Sequence, residues 1–285
     1  MPNSCRLPMK WFTLRQRKLR MTITVAIRLV PACCWLIFWG TPALSDVALD
    51  VLVAAYPEQL ATHDDQNLVW KDGTRQPLSD GQANKTFDDL LNHPSIIDQF
   101  KIRYRLGPQT TLPSINEDPG RIRNEDFFKK MYGDCRKGEV ADQLRRVAWL
   151  PHRGGGTILA TRVNGVAEKL EQISAELEKL PPSITRYATP SAGVYSCRKI
   201  ADSSLVSMHS YGAAIDLNDK FGDYWLWNKK SDGTFNRRHR IPYQIVDIFE
   251  RFGFIWGGKW YHFDTFHFEY RPEIIDLARK NWPRN

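Results

Sequence analysis

The sequence predicts an α+β fold, and three observations carry that reading. Stretches with helical periodicity and stretches of short strands occupy separate parts of the chain. After Asn164, apolar residues recur at Val166, Leu170, Ile173, Leu177 and Leu180, the spacing of one buried helix face. Beyond Pro181-Pro182, which stops that helix, the chain is rich in Gly, Tyr, Trp and His and reads as short strands.

The elements follow in order. Val47 to Leu60 reads as a helix. Leu68 to Gln76 reads as two short strands around an Asp72-Gly73 turn. Thr86 caps a helix that begins Phe87-Asp-Asp-Leu-Leu-Asn92. Pro108 to Pro119 is a polar connector. Arg146-Val-Ala-Trp-Leu150 and Thr157 to Val163 are strands, and Arg153-Gly-Gly-Gly156 between them is a flexible turn. It lacks the Lys-Ser/Thr ending of a phosphate loop. Asn164 is expected to cap the long helix. Residues 46–145 thus form a mixed, largely helical N-terminal region of unassigned role, and residues 146–285 form the second domain.

Composition excludes several classes. Of 285 residues, 42% are hydrophobic and 25% charged, which rules out collagen-like, mucin-like and disordered chains. The formal charge of +8 is unevenly placed. Residues 1–45 hold Arg6, Lys10, Arg15, Arg17, Lys18, Arg20 and Arg28 and no acid; taking those seven from +8 leaves +1. A near-neutral body gives a basic face little support, so a nucleic-acid partner is not expected.

The same 45 residues have the layout of a secretory signal: a basic stretch to Arg20, an apolar stretch to Trp39, and small residues Ala43 and Ser45 before a cleavage expected after Ser45. Met21 is an alternative start. Arg28 and Pro31 interrupt the apolar run, so an uncleaved anchor is the weaker reading and no stable span remains after cleavage. The expected destination is the periplasm or cell envelope. Cys5, Cys33 and Cys34 leave with the leader. Cys135 and Cys197 remain, either as one disulfide or as two separate thiols.

The chemistry lies in two segments, Ser207-Met-His209-Ser-Tyr-Gly212-Ala-Ala-Ile-Asp216 and Asp264-Thr-Phe-His267-Phe-Glu269. Gly212 permits a turn after His209. Ala213, Ile215 and Leu217 then alternate with Ala214, Asp216 and Asn218, so Asp216 projects from a strand whose other face is apolar. His267 and Glu269 share a face, opposite Phe266, Phe268 and Tyr270. Adjacent antiparallel strands would bring His209, Asp216 and His267 together. Two imidazoles and a carboxylate suit one Zn²⁺ per chain with a fourth position open. Asp264, three residues before His267, is the candidate general base. Arg198 is the candidate for stabilising a developing oxyanion, and Arg198, Ser207 and Trp256 are candidate substrate contacts. His63, His93, His152, His239 and His262 read as packed or surface histidines.

Ser207-x-His209-x-x-Gly212-x-Ala214-x-Asp216, followed by Asp264-x-x-His267, resembles the VanY-like D-alanyl-D-alanine carboxypeptidase family of zinc metallopeptidases. Tyr195-x-Cys197-Arg198, Gly253-Phe-x-Trp256-Gly-Gly258 and His267-Phe-Glu269 look like its endolysin-like L-Ala-D-Glu peptidase branch. The resemblance spans roughly residues 145–275. It implies the Hedgehog/DD-peptidase fold, a small antiparallel sheet with helices packed on one side. It also implies zinc at His209, Asp216 and His267, a general base at Asp264, and a substrate or transition-state contact at Arg198. Asp264 departs from the many carboxypeptidases that carry Glu there, which weakens any transfer of carboxypeptidase specificity. The implied substrate is a peptidoglycan stem peptide or cross-link. A non-catalytic zinc-stabilised wall-binding module is the competing reading, and an amidase cutting the sugar–peptide bond a third.

Overall fold

In the computed structural model the described residues are 44–200, 205–231, 234–237 and 239–280. They lie within one compact unit, Pro42–Asn285. The leader expected at residues 1–45 falls outside them except for Leu44 and Ser45, which begin helix α1, Leu44–Ala55. That helix ends five residues short of the expected Leu60, because Pro57 follows and a chain entering proline leaves the helical region. Leu60 instead opens a strand missed in the sequence, β1 (Leu60–His63). It pairs antiparallel with β2 (Asn67–Trp70), which pairs with β3 (Arg75–Pro77) across the expected Asp72-Gly73 turn.

Helix α2 (Phe87–Asn92) starts at Thr86 as expected. Thr86 Oγ1 accepts the Asp89 backbone N–H at 3.2 Å, and Asp89 returns a bond to the Thr86 N–H at 3.0 Å, a reciprocal cap. Helix α3 (Glu125–Tyr132) is capped by Asn124, whose Oδ1 accepts from Phe127 N at 2.8 Å. Strands β4 (Leu144–Ala148) and β5 (Thr157–Thr161) form the second hairpin.

Helix α4 (Val166–Glu178) buries Val166, Leu170, Ile173 and Leu177, the face its spacing predicts. Its cap differs from expectation. Gly165 occupies the cap position without a side-chain bond, while Asn164 sits at φ 57° and donates Nδ2 to the Tyr132 hydroxyl at 3.2 Å. The Asn164 amide is therefore spent on tying α4 to α3. A short helix α5 (Pro182–Thr185) follows.

The third sheet comes from the last third of the chain: β6 (Ala214–Asp216), β7 (Phe254–Trp256) and β8 (His267–Tyr270), ordered β6-β8-β7 and antiparallel throughout. Helix α6 (Tyr243–Arg251) packs on it, with Phe249 stacked on Phe268 at 4.1 Å between centroids, and α7 (Pro272–Arg279) follows β8. The architecture is thus α+β with small antiparallel sheets, as the sequence predicts.

Residues from both halves of the chain build the principal core. Leu49, Leu52, Tyr56, Phe127 and Phe128 share one cluster with Val147, Leu170, Phe249 and Phe268. Polar ties follow the same path: the Tyr56 hydroxyl donates to Glu273 at 2.7 Å, and the Tyr104 hydroxyl donates to Glu250 at 2.7 Å. Among the described residues no helix is long and apolar enough to cross a membrane.

Candidate metal centre

A single turn of 3₁₀ helix, Met208–Tyr211, presents His209. Ser207 caps it, its Oγ accepting from the His209 N–H at 3.4 Å, and Gly212 closes it at φ 66°. Only glycine takes that conformation without strain. A Cβ there would also lie 2.9 Å from the Thr161 backbone nitrogen of β5. The chain then enters β6, and the register pairs Asp216 directly with His267 on β8.

The side chains converge as that register requires. His209 Nε2 and His267 Nδ1 are 3.2 Å apart, and Asp216 reaches each ring nitrogen, through Oδ2 at 3.1 Å and Oδ1 at 3.0 Å. Their candidate ligand atoms all lie within 4.8 Å of one another. The far side of each ring is also held. His209 Nδ1 lies 2.6 Å from the Val194 carbonyl, and His267 Nε2 lies 3.1 Å from Glu269 Oε2. Both partners accept hydrogen bonds only, so the ring protons belong on those far nitrogens. Two lone pairs and a carboxylate are then left facing a common point. Three acceptors with no donor between them repel unless a cation or a proton joins them, so the residues present fit a metal ion.

Electrostatics agree. Burial alone would raise the Asp216 pKa, but the hydrogen bonds and charges of His209 and His267 outweigh it and hold Asp216 well below the usual carboxylate range. Burial would lower His267, yet Asp216 and Glu269 push it up to about 10, so a proton is the competitor that a metal displaces. Glu269 is fully buried and is also held down, the Arg123 charge outweighing the burial that would raise it. Arg123 donates Nε at 3.0 Å to one Glu269 oxygen and Nη2 to the other.

A cleft opens over this trio, with a volume of about 290 Å³. Asp264 lies in it, as does Arg198, whose backbone N–H is fixed by Ser210 Oγ at 2.9 Å. Asp264 is half-buried, and among the described residues its buried Oδ1 has no hydrogen-bond partner. Burial, reinforced by the nearby Asp216 charge, pushes its pKa up to about 7 against the pull of His267, Arg121 and Arg198. Such a carboxyl stands at the edge of ionisation near neutrality, where a proton acceptor works best.

Ser207 lines the cleft but is itself buried in its capping role. Trp256, a candidate substrate contact in the sequence, does not reach the cleft. It is wholly buried on β7, donating Nε1 to the Thr265 carbonyl at 2.8 Å. The cleft aromatics are Tyr224, Trp227, Trp260 and Phe266. Cys135 and Cys197 form a disulfide with Cα atoms 5.7 Å apart, fastening the residue before Arg198 to the N-terminal half.

Residues 201–270 match the family model described as D-alanyl-D-alanine carboxypeptidase. The matched stretch contains all three converging ligand candidates and Asp264, and it stops short of Arg198 and of the whole N-terminal half. No curated protein and no solved structure matches the chain.

Sequence reading missed Arg121 and Arg123, which line the cleft; His262, read as a packed or surface histidine, is packed between Phe87 and Trp225 and also lines it. Nothing local to Arg121 and Arg123 signals a role. They sit in an irregular stretch, and their partners Asp118, Glu269 and Trp260 include residues some 140 positions away. His262 follows a tyrosine and precedes a phenylalanine, the usual setting of a packed histidine.

Proposed function

We propose that the chain is an exported zinc peptidase that hydrolyses peptide bonds of peptidoglycan stem peptides or cross-links. The observation that carries the reading is the convergence of three acceptor groups in one cleft with a carboxyl, Asp264, whose buried Oδ1 has no hydrogen-bond partner among the described residues. The match of residues 201–270 to a carboxypeptidase family model supports the substrate class.

His209, Asp216 and His267 are the residues that would hold the zinc. Bound there, zinc supplies Lewis acidity and lowers the pKa of nearby water. Asp264 takes a proton from the attacking water and returns it to the leaving amine; its raised pKa suits both halves of that transfer. Arg198 presents a guanidinium to the oxygen on which negative charge develops. The aromatic walls, Trp227, Trp260 and Phe266, exclude water from the peptide. Export rests on the basic, apolar and small residues of the leader. Cleavage after Ser45 would leave Asp46 at the start of α1, where an acid favours the helix dipole.

The test is zinc-dependent cleavage of purified muropeptides, read by mass, which also locates the scissile bond. The expected result is cleavage abolished by a chelator and restored by Zn²⁺. His209→Ala and His267→Ala should lose metal and activity together. Full activity in metal-free protein would overturn the metal assignment. Zinc bound stoichiometrically with no cleavage of any muropeptide would leave the binding-module reading in its place.

A further inference from the structure

Asp118 belongs to the N-terminal half and is completely buried. Its Oδ1 accepts the backbone N–H of His262 at 2.9 Å. Its Oδ2 accepts His262 Nδ1 at 2.7 Å and Arg121 Nη1 at 2.8 Å. Both partner side chains line the cleft that holds His209, Asp216, His267 and Asp264. Burial would raise the Asp118 pKa, but the His262 hydrogen bond and the Arg121 charge outweigh it, so the group is a carboxylate.

A carboxylate can only accept, so the His262 proton on this side belongs on Nδ1 and the opposite ring atom, Nε2, is free for another partner. Among the described residues no hydrogen bond engages Nε2. Phe87 stacks on the His262 ring at 5.8 Å and Trp225 meets it edge-on at 4.7 Å, which fixes its plane. Only one of the Arg121 nitrogens is bonded among the described residues, and its guanidinium lies 5.9 Å from the Trp260 ring centroid. Arg123, by contrast, is spent on Glu269 through two nitrogens. Burying a carboxylate costs several kcal/mol unless it is fully partnered. Here the side-chain partners are two groups that reach the cleft.

We infer that Arg121 and His262, held in register by Asp118, form a subsite that recognises the terminal carboxylate of the substrate peptide. This rests on the peptidase reading and deepens it: Arg121 and Asp118 of the N-terminal half join His262 of the matched residues 201–270 in selecting peptides with a free C-terminus. Arg121 and His262 contact substrate, and Asp118 is a positioning residue.

The experiment uses zinc-loaded full-length protein and one synthetic stem peptide in two forms, C-terminal acid and C-terminal amide. Each form is followed by hydrolysis and, separately, by calorimetric titration. A charge-assisted bond to a carboxylate is worth about tenfold or more in affinity. The wild-type chain should therefore prefer the acid by ~10-fold in KM and in Kd. Arg121→Ala and His262→Gln should each erase most of that preference, raising KM for the acid several-fold more than KM for the amide. Asp118→Asn should weaken the preference while retaining Arg121 and His262, as expected of a positioning role. Melting curves of each variant separate these effects from misfolding, and the conservative His262→Gln and Asp118→Asn serve if Arg121→Ala does not fold. Equal losses on acid and amide, or no preference in the wild type, would overturn the subsite. If nothing is hydrolysed but the acid binds more tightly and Arg121→Ala removes the difference, the subsite stands and the peptidase reading falls.

Discussion

Asp264 occupies an unusual position for a carboxyl group, within reach of the Asp216 charge and with a buried oxygen unpartnered among the described residues. Its pKa near 7, against an unfolded value of 3.8, means the folded chain holds the proton more tightly than the unfolded chain. The stability this confers is therefore fully present below pH 3.8 and is lost as pH rises through about 7. Denaturant unfolding of chelator-treated protein between pH 4 and 8 should show this decline, and Asp264→Asn, which cannot ionise, should flatten it; parallel profiles for the two proteins would refute the assignment. In the zinc-loaded protein the same variant should keep its metal and lose roughly 10²–10⁴-fold in turnover, the usual yield of general acid–base help. Loss of zinc from Asp264→Asn would instead make Asp264 a ligand. The convergence of His209, Asp216 and His267 was legible in the sequence because each motif is short and the strand period places Asp216 and His267 on matching positions. The cleft environment was not, since Arg121 and Asp118 reach His262 and Trp260 only through tertiary folding.

At the scale of elements, the site is a consequence of β6 and β8 being neighbours in register. Asp216 faces His267 across the pair, and Glu269, two residues on, returns to the same side of β8 and meets His267 Nε2. Arg123, from the stretch before α3, then fixes Glu269. Partners of this kind typically change metal affinity by 10–100-fold. Arg123→Ala and Glu269→Gln should each weaken zinc binding by about that factor, measured by competition with a chromophoric chelator. Unchanged affinity in both would show that the chain Arg123–Glu269–His267 is packing alone. The alternation of residues 213–218 and the helical spacing from Val166 to Leu177 were readable because both are local periods. The end of α1 at Ala55 and the strand at Leu60 turn on Pro57, which ends the helix before the expected Leu60. The role of Asn164 was hidden because its partner, Tyr132, lies in another helix.

At the scale of the molecule, the N-terminal half and the segment bearing the ligands share one core. Helix α1 packs against α7, and Tyr104 joins Ile255, Trp260, Ile274 and Ile275 in a second cluster. Removing residues 44–145 would uncover those surfaces. It would also strip three buried groups of partners: Glu269 would lose Arg123, Arg271 would lose the Gly120 carbonyl, and Glu250 would lose the Tyr104 hydroxyl. Each group keeps other partners, and losing one hydrogen bond to a charged group costs about 1.5–3 kcal/mol. Fully burying a Leu or Phe is worth about 1.5–3 kcal/mol, and the core loses Leu49, Leu52, Phe127 and Phe128 together. Net stabilities of domains run only to about 5–15 kcal/mol. A fragment of residues 146–285 should therefore fail to melt cooperatively and should bind zinc no better than an unstructured peptide of the same ligands. A chain beginning at Asp46 should melt cooperatively and bind zinc more tightly than that peptide. Near-UV circular dichroism, limited proteolysis and zinc titration of the two proteins decide the matter. A fragment that melts sharply, resists protease and binds zinc as tightly as the longer chain would show that the ligand-bearing segment folds alone. The N-terminal half would then be an accessory to the cleft and not a part of its foundation.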